Sequence, residues 1–227
     1  ISDGGYAEYL TVPARNAVPL PDTIPDIEAA PIGCAVTTAV HAAKLAEARV
    51  GEWIVVYGVG GVGFGLVQLA RATGARTIAV GRSAEKLDKA LELGAEIAVN
   101  ASEEAASERI RRITGGAGAD VVYECVGTEE SMKEASAALG RRGRLVFVGY
   151  SPDNFTVHPI QLVVFEQKVM GSVGATLNDL YEAIDLVERG VIRTVIDRTL
   201  PLEQFQSGLN ALERGELVGR AVLVSGR

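Results

Sequence analysis

Two cysteines in 227 residues, Cys34 and Cys125, are too few for a disulfide framework and do not form a C-x-x-C pair. That scarcity points to a reducing compartment, and the cytoplasm is the expected location. Basic side chains are few as well: 22 Lys and Arg against 29 Asp and Glu leave a net charge of −7, with no cationic cluster. Neither nucleic acid nor an anionic membrane surface is therefore an expected partner. Long apolar runs are missing. Residues 53–70 carry no formal charge, but Gly58, Gly60, Gly61, Gly63 and Gly65 interrupt them, so a strand, a turn and a helix explain the stretch better than a membrane span. The chain opens on Ile1 with neither a basic n-region nor an apolar h-region, so no signal peptide is expected, and it reads as a piece of a longer protein. The motifs G-x-S-x-G, G-x-x-x-x-G-K-[ST] and H-E-x-x-H do not occur, which sets aside the chemistries they carry.

What is present is a globular composition, 48% hydrophobic and 22% charged, long enough to bury a core. Residues 6–12 read as a short strand, and Pro13, Pro19, Pro21 and Pro25 keep the next stretch irregular. Residues 26–44 are helical in character, with Pro31 dividing them into two helices; on a continuous helix Cys34, Thr38 and His41 would share one face. From residue 54 onward, short apolar runs (54–57, 77–80, 97–99, 121–123, 145–148) alternate with amphipathic stretches (62–73, 84–93, 104–114, 129–139). Gly74, Gly94 and Gly140 fall where helix C-termini take a left-handed residue. This alternation predicts an α/β fold, a doubly wound parallel sheet of Rossmann type with helices on both faces. Residues 169–173 would close the sheet at its edge, and residues 177–227 supply further helices and strands outside it. The expected division is 1–35 as part of a second, catalytic domain, 36–173 as the dinucleotide-binding domain, and 174–227 as the rest of the catalytic domain.

Within that pattern, Gly58, Gly60 and Gly63 stand in a G-x-G-x-x-G frame directly after the first apolar run and before a helix. Gly58 permits a tight turn, Gly60 lets backbone approach a pyrophosphate, and Gly63 allows close packing of the helix. The helix N-terminus offers free N–H groups and a positive dipole end. The second run ends at Gly81, where an enzyme reading NAD usually places Asp or Glu to accept from the ribose hydroxyl. Here Gly81 is followed by Arg82 and Ser83, with Lys86 nearby. Cations without a carboxylate suit a 2′-phosphate, so NADP(H) is favoured over NAD(H) as cofactor. The competing reading is that Ser83 caps the next helix while Arg82 and Lys86 are solvated.

The segments GGYAEYL, GCAVTTAVHA, GVGGVG, ADVVYECVG, GRLVFVG and GRAVL occur in that order, and together they resemble the medium-chain, zinc-type alcohol dehydrogenases over essentially the whole chain. The resemblance implies hydride transfer between an alcohol or carbonyl substrate and a nicotinamide cofactor. It implies that Cys34 is the last of three protein ligands to a catalytic zinc, that Thr38 faces the nicotinamide, and that Val62 lies beside its ring. Val126, Val148, Gly149 and Val173 would line the cofactor cleft, with Gly61 in the glycine-rich turn and Arg220 near the cofactor phosphates. Family members carry roughly a hundred further residues upstream, with the other zinc ligands and the proton relay. A catalytic zinc needs three protein ligands, and this chain offers one. His41 lies about 10.5 Å along a helix from Cys34, too far to share an ion with it. His158 has no evident partner, and Cys125 is expected in the core or cleft wall. Two alternatives stand beside the zinc-type enzyme: a non-catalytic dinucleotide-binding fragment and a zinc-free quinone or enone reductase of the same superfamily. The resemblance also implies a homodimer or homotetramer, formed through the edge strand near Val169 and Val173.

Overall fold

The computed structural model describes residues 4–226. A 3-10 turn (Ala14–Asn16) comes first, followed by α1 (Asp26–Ala29) and a π-helical turn (Ile32–Val36) that runs directly into α2 (Thr37–Ala46). Alternating elements follow: β1 (Trp53–Tyr57), α3 (Gly61–Ala72), β2 (Arg76–Gly81), α4 (Ala84–Glu92), β3 (Ile97–Asn100), α5 (Ala106–Ile113), β4 (Ala119–Glu124), α6 (Glu129–Ala138) and β5 (Leu139–Phe147). Beyond them lie α7 (Pro159–Phe165), β6 (Lys168–Gly171), α8 (Leu177–Glu188), β7 (Ile196–Pro201), α9 (Phe205–Glu213) and β8 (Arg220–Val224).

Six strands form one parallel sheet in the order β3-β2-β1-β4-β5-β6. Two halves thus run outward from the β1/β4 pair, which is the doubly wound arrangement expected from the alternating runs. The period of two in each strand decides which side chain goes where. Ile54 and Val56 of β1 join Val121 and Tyr123 of β4 against Phe64, Leu66 and Val67 of α3 and the alanines of α2. Val55 and Tyr57 point the other way, to Ile110 of α5 and Ala135 and Ala138 of α6. Both faces are covered, so the strands read as continuous apolar runs. α2 and α3 approach closely: a β-carbon at Gly65 would lie 2.8 Å from that of Ala39. A third cluster joins Val36 and Val40 to Ala183 and Ile184 of α8 and to Ile192.

Several expectations need correction. Residues 6–12 form no strand; they are irregular and exposed, and no strand among the described residues lies beside them to supply the hydrogen bonds that a lone extended segment lacks. Gly74 (φ 75°) and Gly94 (φ 112°) end their helices in the left-handed region as expected, but Gly140 does not. α6 passes straight into β5 at Leu139, whose backbone is extended, and Gly140 lies within β5. What it lacks is room: a β-carbon there would meet the Ala117 carbonyl oxygen at 2.7 Å. His158, without an expected partner, caps α7: its Nδ1 accepts from the Ile160 N–H at 3.2 Å. β7 and β8 pair in a separate two-stranded parallel sheet, in line with the expectation that the last segments pack outside the main one.

Candidate cofactor-binding site

The carboxyl ends of β1 and β4 meet where the strand order reverses, and the glycine-rich turn closes the β1 side of that crevice. Gly58 takes φ 100° and donates its N–H to Val80 of β2 at 2.9 Å, which ties the turn to the sheet. A β-carbon on Gly58 would lie 2.7 Å from Val126, so the turn abuts the loop after β4. Gly60 is extended and caps α3, with open space before it. Gly63 has none: its β-carbon would sit inside contact distance of the Gly58 carbonyl oxygen. The first main-chain bond of α3 is donated by Phe64 to Gly60, which leaves the N–H groups of Gly61, Val62 and Gly63 at the open end of the helix.

A cation lies over that end. Arg220, the first residue of β8, is anchored by its N–H to Val195 (3.0 Å), and its guanidinium occupies the space that a side chain at Gly61 would fill. Its Nη2 also reaches Cys34 Sγ at 3.7 Å. A guanidinium beside the positive end of a helix is unfavourable alone and becomes favourable with an anion between them.

At the end of β2, Gly81 leaves little space: a β-carbon would meet Val59 at 3.1 Å and Leu87 at 3.4 Å. Arg82 is exposed and in no ion pair among the described residues. The Ser83 hydroxyl caps α4 by accepting from the Lys86 N–H at 3.4 Å, and Lys86 Nζ donates to the Gly215 carbonyl at 2.8 Å. Ser83 thus takes the capping role of the competing reading, Lys86 is held by a main-chain carbonyl instead of being solvated, and Arg82 is exposed with no ion-pair partner among the described residues.

Across the crevice, Glu124 ends β4 and is fully buried. Its Oε1 accepts from the N–H groups of Val126 (2.9 Å) and Gly127 (3.1 Å), and its Oε2 from Gly127 (2.9 Å). Its main-chain oxygen accepts from Val148 (2.8 Å) and Gly149 (2.9 Å). Burial pushes its pKa above the ordinary carboxylate value, against the lowering effect of Gly127, Ser131 and Val126. Gly149 packs directly on this loop, where a β-carbon would lie 2.5 Å from the Val126 nitrogen. Reasoning from sequence missed Glu124, although an acidic residue inside the run VVYECV is a visible anomaly. Burial pushes the neighbouring Cys125 thiol up, which suits a cleft wall and not a nucleophile.

Cys34, Thr38 and His41 do not act as one face. The π-helical turn, tied by Thr37 Oγ1 donating to the Ile32 carbonyl at 2.5 Å, interrupts the helix. Cys34 is exposed beside Arg220, Thr38 is half-buried, and His41 turns to Asp179 of α8 at 2.9 Å. Val173 lies beyond the end of β6 and is 85% exposed. Among the described residues, no three His, Cys, Asp or Glu side chains come together as a metal would need, and the polar partner of the Cys34 sulfur is a guanidinium. The residues present therefore do not fit a catalytic zinc. The glycine turn, the free end of α3 and Arg220 lie together and present N–H donors and a cation, a donor set whose chemistry suits an anion.

Residues 61–189 match the family model described as zinc-binding dehydrogenase. An alcohol dehydrogenase of Geobacillus stearothermophilus is 36% identical over 221 residues, which are 97% of this chain and 65% of that protein. A protein of Sulfurisphaera tokodaii named NAD-dependent alcohol dehydrogenase is 32% identical over 98% of this chain and 65% of its own length. The crystal structure of the alcohol dehydrogenase from the hyperthermophilic archaeon Aeropyrum pernix superposes with a TM-score of 0.92 at 32% identity, covering 98% of this chain and 65% of that one. The chain thus spans just under two thirds of the length of these relatives.

Proposed function

The chain belongs to the zinc-binding dehydrogenases, and on that premise we propose that it is the cofactor-binding part of an NAD(P)-dependent alcohol dehydrogenase, taking a small alcohol or carbonyl compound as substrate. The observation that carries the reading is Arg220 held over the open N-terminus of α3 beside the glycine cradle, two positive features awaiting a pyrophosphate. In this reading residues 36–173 bind the dinucleotide, while 1–35 and 174–227 belong to the catalytic domain. Thr38, Val62, Val126, Val148, Gly149 and Val173 face the nicotinamide half of the cofactor. The nicotinamide, when bound, supplies the hydride acceptor; this chain's residues bind and orient it.

NADP(H) is the preferred form in this proposal, because Gly81 replaces the usual carboxylate and Arg82 has no ion-pair partner among the described residues. The name of the Sulfurisphaera relative, by contrast, specifies NAD, so the choice is open to a direct test. Calorimetric titration should show NADPH binding more tightly than NADH. Arg82→Ser should weaken NADPH about ten-fold, the worth of a charge-assisted hydrogen bond, and leave NADH unchanged. Equal or tighter NADH binding by the wild type would remove the role given to Arg82.

We further propose a homo-oligomer formed through the β6 edge. β6 ends the sheet, and Ile160, Val163, Val164 and Phe165 of α7 expose an apolar surface beside it. Sedimentation should show a dimer or larger species that Val163→Glu converts to monomer. A wild type that sediments only as monomer would overturn this interface. No helix among the described residues is long and apolar enough to cross a membrane.

A further inference from the structure

Of the two buried carboxylates among the described residues, Asp179 is met by Lys44 and His41, whereas Glu124 meets no cation. Its position is as unusual as its isolation. It stands opposite Tyr57 in the β1/β4 register, so it lies beside the last residue before Gly58 and directly under the crevice. Every hydrogen bond described above for its side chain and carbonyl goes to Val126, Gly127, Val148 or Gly149, the wall of that crevice. Burial raises its pKa, and the donors facing its carboxyl oxygens, the N–H groups of Val126 and Gly127 and the Ser131 hydroxyl, act against that burial in favour of the ionised form.

In a doubly wound sheet the half beginning at β4 holds the nicotinamide end of the dinucleotide. The oxidised and reduced cofactors share their phosphates and differ by one positive charge on the nicotinamide ring. An uncompensated negative charge buried beneath that end distinguishes the two, since little solvent screens it. We propose that Glu124 is a specificity-determining residue whose buried charge favours the oxidised dinucleotide over the reduced one. The inference rests on the dinucleotide-site reading above and adds a discrimination between redox states.

The measurement is the ratio of dissociation constants, oxidised over reduced, by calorimetry or by quenching of protein fluorescence, for NADP(H) and NAD(H) alike. Glu124→Gln keeps the shape and one acceptor oxygen but removes the charge; it should raise the ratio on the order of five-fold, a modest Coulombic interaction at short range. Glu124→Asn is a second neutral replacement should the first not accumulate as folded protein, with folding verified by thermal melts. Glu124→Asp restores the charge, and its ratio should stay within about two-fold of wild type even where both affinities fall. A role confined to holding the 125–127 loop would weaken both redox forms by the same factor, so an unchanged ratio in the neutral variants would overturn the inference. So would a rise in Glu124→Asp equal to that in Glu124→Gln. If the wild-type chain binds neither redox form, the dinucleotide-site reading falls first and this inference with it.

Discussion

Gly60→Ala and Gly63→Ala are expected to separate ligand space from fold space within one turn. The methyl of Gly60→Ala enters the open volume in front of α3, where no atom lies within 4 Å, and the backbone there is already extended. The poorer N-cap propensity of Ala is offset in part by the lower entropy of the unfolded chain, so stability should change by less than about 1 kcal/mol. Dinucleotide affinity should fall at least about ten-fold, because the methyl occupies the position from which the backbone must approach the pyrophosphate. Gly63→Ala places its methyl against the Gly58 carbonyl, a main-chain atom in a turn that is itself tied to Val80. Neither side yields cheaply, so about 1–3 kcal/mol of stability should be lost together with binding. Thermal melts and calorimetry on both variants decide the matter. If Gly60→Ala binds dinucleotide as tightly as wild type, the cradle is not where the pyrophosphate sits.

That contrast also marks how much of the site the chain discloses without its fold. The frame Gly58, Gly60, Gly63 is legible because the turn, the helix end and the packing of Gly63 on Gly58 are local and span six residues. The strand ending at Gly81 is legible for the same reason. Arg220 is not: it is far along the chain from Gly61, and only the family resemblance suggested that it approaches the phosphates. Nothing in the spacing predicts that it would also contact Cys34. Periodicity misled at Gly140, where a glycine after a helix has the look of a left-handed cap but serves the close approach of β5 to the 117–119 backbone. It misled again at residues 6–12, whose alternation is that of a strand although no strand among the described residues pairs with it. The π-helical turn at Ile32–Val36 inserts extra backbone into a helix, a feature that period counting cannot register, and it is what sends Cys34 and His41 to different neighbours.

His41 leads to the other large effect. Asp179 is 3% exposed and lies in the first turn of α8, where its Oδ2 accepts from the Thr176 N–H (2.8 Å), the Thr176 hydroxyl (2.7 Å) and His41 Nδ1 (2.9 Å). Its Oδ1 accepts from Lys44 Nζ at 2.8 Å, and Lys44 also pairs with Glu182. One carboxylate thereby caps α8 and fastens it to α2, the helix that carries Thr38. Burial alone would raise its pKa, but Lys44, Thr176 and His41 together hold the carboxyl well below the usual range. Asp179→Asn should cost about 2–3 kcal/mol at pH 7: whichever way the amide is turned, its NH2 faces a donor that the carboxylate accepted, while the partial exposure of Lys44 limits the loss. The sign of the pH dependence follows from the lowered value. An acid whose folded pKa lies below its unfolded one, about 3.9, contributes its full stabilisation above that unfolded value and loses it as the pH falls toward the folded one. The gap in melting temperature between wild type and Asp179→Asn should therefore be widest near neutrality and narrow below about pH 4. A gap that persists undiminished at pH 2.5, or that is absent at pH 7, would mean that the carboxylate's charge is not what joins α2 to α8.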